Sequence, residues 1–314
     1  MRAEEVSKVT GVLRSVLIAV VLAGIVDSQD LYLENLKAGL ALIQSGRFRE
    51  AVEPLTRASS LRPATFEPHY LLGLSLAQDG RRGQAIEQLR LGQTMQPDHA
   101  GLLTLLGILY LQDGYPQDAA ETLDHANRQA PLGEQALLQL AEAWHASFQF
   151  DRALAVAEAA AARNPNSAHA LFRLGYELET AGRFEEAMAA FTRASERNPD
   201  FVENRLALGR LDYRAGRYGS AEQHLAFVLK KQPKQRQARI EMAKLLTARG
   251  QSGAARQLLE SLVAEQGIEP EPHLLLARIY QVQGDREASE REVARFLELT
   301  NAEQAKGGMS GNLG

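Results

Sequence analysis

A period of 34 residues is the feature of this sequence that most constrains its fold. Six of the eleven prolines follow one register, each 34 residues from the next: Pro63, Pro97, Pro131, Pro165, Pro199 and Pro233. Regular recurrence at this spacing indicates copies of one supersecondary unit. Such copies stack into an array in which each unit contacts its neighbours, rather than folding around one central core.

Three further residue types follow the same period. Small residues recur at Gly39, Gly73, Gly107, Ala141, Gly175, Gly209, Ala243 and Ala277. Glycine follows seven residues later at Gly46, Gly80, Gly114, Gly182, Gly216, Gly250 and Gly284, with Phe148 in the fourth copy. Alanine follows five residues after that at Ala51, Ala85, Ala119, Ala153, Ala187, Ala221 and Ala255, with Ser289 in the last copy.

Each of these positions has a physical reason in a pair of packed helices. Apolar residues at spacings of three and four mark amphipathic helices. Glycine after the first helix can adopt the left-handed conformation that ends it, and small residues let the two helices approach closely. Proline after the second helix stops it, because proline lacks an N–H group and clashes with the preceding turn. The sequence therefore predicts an all-α fold of helix-turn-helix units.

The unit closely resembles the tetratricopeptide-repeat consensus. Residues 168–201 carry the signature residues Leu174, Gly175, Ala187, Phe191, Ala194 and Pro199. Eight repeats fill residues 32–301, starting at positions 32, 66, 100, 134, 168, 202, 236 and 270. The resemblance implies a right-handed superhelical solenoid with a concave groove, and a function in binding other proteins.

The two ends of the chain differ from the array. Arg2, Lys8 and Arg14 precede an apolar run over residues 16–26, which is typical of a secretory signal peptide. The run is shorter than the roughly 20 apolar residues of a membrane span. We expect residues 1–28 to be a cleaved signal peptide; an uncleaved N-terminal anchor, a buried helix or a misplaced start codon are the alternatives. Residues 302–314 lack apolar periodicity and are predicted to form a disordered tail.

Composition and motifs argue against several function classes. The net charge of −4 gives no reason to expect a nucleic-acid-binding protein. The absence of cysteine excludes disulfides, cysteine-ligated zinc and a cysteine nucleophile. None of the motifs GxxxxGK, HExxH and GxSxG occurs, and no two histidines have the helical spacing of a local metal site. We predict a protein that is not an enzyme and that uses no cofactor and no metal.

In the tetratricopeptide-repeat family, the first helix of each repeat lines the groove, usually with positions 2, 5, 9, 12 and 13 of the repeat. In repeats 1–3 these positions are mainly apolar and include Leu36, Leu40, Tyr70, Leu74 and Ile108. Gln44, Gln78 and Gln112 border them at position 13. In repeats 5–8 the same positions are aromatic and basic, and include Phe172, Tyr176, Arg210, Tyr213, Arg214, Lys244 and Arg278.

These two sets predict a groove in two parts. The apolar part would accept a hydrophobic helix or an extended segment of a partner protein. In the basic part, the position-9 cations Arg210, Lys244 and Arg278 would bind carboxylates, and the tyrosines would add contact area at low entropic cost. Two alternatives remain open. The cations can instead pair with Glu179, Glu203 and Glu271, and some of the apolar side chains can pack between neighbouring repeats.

The family resemblance implies a scaffold that holds other proteins. Exported arrays of this family often assist the assembly of secretion, pilus or exopolysaccharide machinery in the bacterial cell envelope. We therefore expect an exported protein, periplasmic or secreted, or one anchored in the inner membrane with its array outside the cytoplasm. The alternative is a substrate-recruiting or regulatory subunit of a separately encoded enzyme.

Overall fold

The structure is a computed structural model that describes residues 30–265 and 269–310. Every regular element within these ranges is an α-helix. The helices are α1 (30–44), α2 (Phe48–Leu61), α3 (Phe66–Gln78), α4 (Arg82–Met95), α5 (Ala100–Gln112), α6 (Pro116–Gln129), α7 (Glu134–Ala146), α8 (Phe150–Arg163), α9 (Ala168–Thr180), α10 (Phe184–Arg197), α11 (Val202–Arg214), α12 (Tyr218–Lys231), α13 (Arg236–Ala248), α14 (Ser252–Ala264), α15 (Glu271–Gln283) and α16 (Arg286–Ser310).

The helices pack in consecutive pairs, and each odd-numbered helix is the first helix of a repeat. Within repeats, α3 contacts α4, α5 contacts α6 and α11 contacts α12. Between repeats, the second helix contacts the next first helix, as α4 does with α5 and α12 with α13. The predicted all-α array of helix-turn-helix repeats is therefore confirmed. The chain divides into two compact units, Met1–Ala160 and Ala161–Gly314, which are described separately below.

A left-handed glycine ends the first helix in seven repeats. The φ angles of Gly46, Gly80, Gly114, Gly182, Gly216, Gly250 and Gly284 lie between 72° and 82°. These are the glycines whose spacing predicts helix ends, so this prediction is confirmed. In repeat 4 the same position is occupied by Phe148, whose φ is 60°. A bulky side chain rarely adopts this conformation, because its Cβ crowds the following carbonyl oxygen.

The small residues of the first helices are in direct contact with the second helices. A Cβ added to Gly107 would lie 2.6 Å from Leu123, and one added to Gly175 would lie 2.6 Å from the ring of Phe191. Leu123 and Phe191 are fully buried. The two helices of a repeat therefore approach more closely than a larger residue would allow, as the sequence pattern predicts.

The structure differs from the sequence-based prediction at the C-terminus. Helix α16 continues to Ser310, whereas the sequence predicts a disordered tail from residue 302. The physical reason is that Asn301 replaces the proline that ends the earlier second helices, and the next residues, Ala-Glu-Gln-Ala-Lys, all favour helix. Residues 311–314 lie outside the described ranges.

The predicted signal peptide or anchor, residues 1–28, also lies outside the described ranges. Within the ranges that are described, no helix is both long enough and apolar enough to cross a membrane.

A candidate partner-binding face on the first helices

The predicted binding residues share one face of the first helices. In α3 the buried residues are at positions 1, 3, 4, 7, 8, 10 and 11 of the repeat, and the other first helices follow a similar pattern. Positions 2, 5, 9, 12 and 13 lie on the opposite side. None of the predicted binding residues belongs to the buried class: Leu36, Leu40, Tyr70, Leu74, Ile108, Phe172, Tyr176, Arg210, Tyr213, Arg214, Lys244 and Arg278.

In the first compact unit, position 9 forms what we call the aliphatic column: Leu40, Leu74 and Ile108. Leu40 is 40% exposed, and the other two are half-buried. Because α3 contacts α5 directly, position 9 of repeat 2 and position 9 of repeat 3 lie on adjacent helices. The column therefore places partly exposed apolar side chains at a regular spacing along the first helices.

Other predicted apolar residues are shared between this face and the core. Leu36 and Tyr70 pack against the buried cluster that contains Leu55, Leu72 and Leu89. Tyr70 stacks on Phe66 at a centroid distance of 5.5 Å and lies 5.1 Å from the ring of His99. Burial raises the pKa of the Tyr70 hydroxyl, so the side chain stays neutral at physiological pH. Leu36 and Tyr70 therefore contribute to the packing of the array as well as to the exposed face.

The amide border of the column is exposed. Gln44, Gln78 and Gln112 lie at the C-terminal ends of α1, α3 and α5, and all three are in the exposed class. A row of amides can both donate and accept hydrogen bonds along a partner backbone. The N-terminal unit thus combines an apolar strip with a hydrogen-bonding edge.

In the second compact unit, Arg210 is paired. Its guanidinium donates to Glu179, with 3.1 Å from Nε to Oε1 and 2.6 Å from Nη2 to Oε2. This bidentate ion pair joins α11 to α9 and therefore connects two repeats. A bidentate arginine–carboxylate pair fixes the geometry of both side chains and leaves little free positive charge for a partner.

Lys244 is paired as well. Its Nζ lies 3.0 Å from Oε1 of the buried Glu241 and 2.6 Å from Oε1 of Glu271 on the next first helix. Burial alone would lower the pKa of Lys244, but hydrogen bonds to Glu271 and Glu241 outweigh it, and the pKa is raised. Lys244 therefore stays charged, with its charge balanced inside the array.

Arg278 and Arg214 retain exposed positive charge. Arg278 is exposed, and no ion pair involves it within the described part of the chain. Arg214 is exposed too: its guanidinium lies 4.2 Å from the ring centroid of Phe184 and 4.0 Å from Glu179. The position-9 cations lie on the first helices, and two of the three, Arg210 and Lys244, follow the ion-paired alternative.

A cleft adjoins the aromatic residues of this unit. Its volume is about 510 Å³, and Phe184, Met188, Leu211, Arg214 and Arg217 are among its lining residues. Tyr213 lies beside Tyr218, with a centroid distance of 6.0 Å, and Phe172 lies 4.9 Å from Phe201. The cleft can accept a side chain that has an apolar body and an acidic end.

The second helices also contribute to this cleft, and positions on the first helices alone do not predict that contribution. Phe184 begins α10, two residues after the capping glycine Gly182. A sequence signal for such residues exists, because aromatic residues occupy the same register at Phe48, Phe150, Phe184 and Tyr218. The family pattern of groove positions does not include this register, and the cleft therefore emerged only from the structure.

Across residues 30–265 and 269–310, no group of three His, Asp or Glu side chains could hold a metal ion. Ser220, Asp212 and His224 lie close together, but the Ser220 hydroxyl donates to Asp212 at 2.5 Å rather than to the histidine. The serine is therefore not arranged for activation by a histidine base.

The comparisons with known proteins agree with this architecture. Tetratricopeptide-repeat sequence profiles match residues 36–100 and 149–200, residues 178–245 and 213–279, and residues 270–295. These matches together cover more than half of the chain. No curated protein sequence matches it.

Solved structures with the same fold come from several proteins. A tetratricopeptide-repeat protein from Parabacteroides merdae has a TM-score of 0.62 at 19% identity, covering 74% of this chain and 93% of that one. PilF from Pseudomonas aeruginosa has a TM-score of 0.57 at 16% identity, covering 69% and 99%. YrrB, described as a tetratricopeptide-repeat protein with an unusual peptide-binding site, has a TM-score of 0.53 at 19% identity, covering 60% and 96%.

The repeat geometry and the profile matches define the class of protein: a helical repeat array with the fold of a protein–protein interaction scaffold. The chain belongs to the tetratricopeptide-repeat family. This fold generally serves as a non-catalytic scaffold, and the particular partner has to be inferred from the surface residues.

Proposed function

We propose that this protein holds a partner polypeptide on the exposed face of its first helices, with the aliphatic column as the main contact. The observation that carries the proposal is that Leu40 is exposed, and Leu74 and Ile108 are partly exposed, at equivalent positions of three successive repeats. Aligned aliphatic side chains bordered by amides suit an amphipathic helix or an extended apolar segment. Burial of each such side chain contributes roughly 1.5–3 kcal/mol when complete.

The second compact unit supports a weaker acidic preference. Arg278 and Arg214 supply exposed charge, whereas Arg210 and Lys244 hold the array together. An acidic segment of the partner would therefore contact Arg278 and Arg214 rather than the ion-paired Arg210 and Lys244. Accordingly, Arg278→Glu should weaken capture of an acidic partner, and Arg210→Glu should mainly lower stability.

Affinity capture with matched variants tests the proposed contact. The native chain, the double variant Leu40→Gln/Leu74→Gln and the control Leu61→Gln/Leu91→Gln are crosslinked in the source organism. Captured proteins are then quantified by mass spectrometry. Leu61 and Leu91 are exposed leucines of α2 and α4 that lie outside the column. A partner retained by the control and lost from the column variant supports the proposal, and equal capture by both variants contradicts it.

We also propose that the protein is exported and assists assembly of an envelope complex, such as secretion, pilus or exopolysaccharide machinery. The support is the charged and then apolar sequence of residues 1–28, together with the scaffold fold. Cell fractionation, with intact-mass measurement of the purified protein, tests export and cleavage. Recovery in the cytoplasm would contradict it. A captured enzyme whose activity requires this chain would favour the alternative role of a recruiting or regulatory subunit.

A further inference from the structure

The outer face of the second helix is buried in six repeats. In repeats 1–3 and 5–7 this helix contacts the first helix of the following repeat. One position of this helix is 0% exposed in each of these repeats: Leu55, Leu89, Leu123, Phe191, Leu225 and Leu259. In repeats 1–3, 5 and 6 its side chain lies against the first helix of its own repeat, and in repeats 6 and 7 it also clusters with the first helix of the next one. The same interface is therefore made repeatedly along the chain.

In repeat 8 the equivalent face is exposed within the part of the chain that the structure describes. Val293, which is 34 residues after Leu259, is 39% exposed, and Leu297 is 52% exposed. Phe296, on the same side of α16, is partly exposed. We call Val293, Phe296 and Leu297 the end face. Its residues are apolar, whereas the terminal repeat of an array usually has a polar outer side.

Within the described residues, no first helix of a following repeat covers the end face. In the earlier repeats, the second helix ends and a short turn leads to the next first helix. Here Asn301 stands at the proline register, and α16 continues as helix to Ser310. Over residues 286–310, therefore, no turn leads to a ninth first helix at the expected place.

The internal interfaces show what kind of helix fits. In repeat 6, Leu225 clusters with Leu245 and packs near Met242 of the following first helix. In repeat 7, Leu259 and Leu262 cluster with Leu276 and Ile279. The covering helix thus supplies two apolar residues three positions apart. The covering helix also carries a small or compact residue four positions before the first residue of this pair. These residues are Ala238 in repeat 7 and Pro272 in repeat 8.

We propose that the end face docks an amphipathic helix of another protein, which lies where the first helix of a ninth repeat would lie. The proposal rests on continuity with an interface that the chain makes in six repeats, and it does not depend on binding by the aliphatic column. A second copy of this chain fits poorly. At the three contact positions its own α1 carries Glu34, Ala38 and Ala41, which would place a carboxylate against the apolar end face.

A peptide taken from the chain itself is the most direct probe. Residues 269–285, acetylated and amidated, contain the helix that covers the equivalent face of α14. The chain has no cysteine, so Asn301→Cys provides a single site for an environment-sensitive dye one turn beyond Leu297. The peptide should change the dye emission saturably. A control peptide with Leu276→Asn and Ile279→Asn should bind at least tenfold more weakly.

Two controls test whether the change in dye emission comes from binding at the end face. A dye at Glu287→Cys, an exposed position on the first turn of α16, should not respond. Val293→Asp and, separately, the more exposed Leu297→Asp should each weaken the response at least tenfold while the circular dichroism spectrum stays native. A missing response, equal binding of both peptides or unchanged binding to both Asp variants would overturn the proposal. A dye response to added unlabelled chain would also overturn it, because the occupant would then be a second copy.

Discussion

Phe148 occupies an unfavourable position in repeat 4. It has a left-handed backbone where the seven other repeats have glycine, and its side chain is 79% exposed. Its ring meets Phe150 edge-on at a centroid distance of 6.2 Å. A left-handed conformation costs a residue with a Cβ roughly 1–2 kcal/mol, and one exposed aromatic contact offsets only part of that cost.

Replacement of Phe148 by glycine should therefore stabilise the protein, whereas replacement by another residue should not. Phe148→Gly should raise the thermal midpoint by a few degrees because it removes the strain at φ 60°. Phe148→Ala removes the ring but keeps the Cβ, and should not raise it. Thermal unfolding followed by circular dichroism separates the two. Equal midpoints for the two variants would mean that backbone strain is not the cause.

We expect His224 to make the C-terminal unit sensitive to acid. The Arg205 guanidinium donates to its Nδ1 at 3.2 Å, and its Nε2 faces Asp212 at 3.6 Å. Burial, and then the charge of Arg205, lower its pKa from 6.5, while Asp212 acts in the opposite direction. The folded state favours neutral His224, so its stabilisation is present above pH 6.5 and is lost as the pH falls through the lowered folded value.

The native chain should therefore lose stability between about pH 7.5 and pH 5.5 more steeply than His224→Gln does. The two carboxylates with a lowered pKa in the described part of the C-terminal unit, Glu186 and Glu265, contribute their pH dependence below this window. Urea denaturation at the two pH values measures the difference. Parallel losses in both proteins would contradict the assigned role of His224.

At the scale of the elements, the close approach of the paired helices depends on small residues. Gly175 on α9 has Phe191 directly opposite, whereas Gly219 on α12 has open space around it. Gly175→Ala should destabilise the C-terminal unit by about 1–3 kcal/mol, because the buried ring of Phe191 has no free space to move into. Gly219→Ala should be neutral or stabilising by up to about 1 kcal/mol, because it reduces the flexibility of the unfolded chain.

Chemical denaturation of the two alanine variants, beside the native chain, tests this difference. A similar effect of Gly175→Ala and Gly219→Ala would show that helix propensity, rather than helix separation, determines the residue at these positions.

Much of the fold was predictable from the sequence. The register of proline, glycine and alanine predicts the helix pairs, their order and the left-handed glycines, because local steric constraints determine the residue type at each of these positions. The tail was not predicted correctly, since the loss of a proline at Asn301 lets helix-forming residues extend α16. The extension of α16 beyond residue 301 has no apolar periodicity of its own, so the repeat pattern does not predict it.

The candidate site was only partly predictable. Position within the repeat identified the exposed face of the first helices, because helical geometry determines which residues share a side. The pairing of Arg210 with Glu179 and of Lys244 with Glu271 depends on contacts between repeats, which spacing along one helix does not determine. The cleft beside Phe184 is lined by residues of two helices, α10 and α11, so positions on the first helices alone do not predict it.

At the scale of the whole molecule, stability should be local. Each repeat contacts mainly its neighbours, so a defect should weaken the repeats nearest to it. Leu106 is fully buried in the core of repeats 1–3. Leu106→Ala should cost about 2–5 kcal/mol there and should raise hydrogen exchange in α3–α6.

Helices α13–α15 should keep their native exchange rates in this variant, and Leu276→Ala in repeat 8 should give the reciprocal pattern. Uniform loss of protection along the whole chain after either substitution would contradict nearest-neighbour stability.

The proposed function requires a partner to contact the exposed face of the first helices. Site-specific photocrosslinking in the source organism tests it most directly, with the photoreactive residue at Leu74 in the aliphatic column or at Leu91 on α4 as the matched control. The proposal predicts a discrete crosslinked partner from position 74 and none from position 91. The same adducts from both positions, or an adduct from position 91 alone, would contradict it.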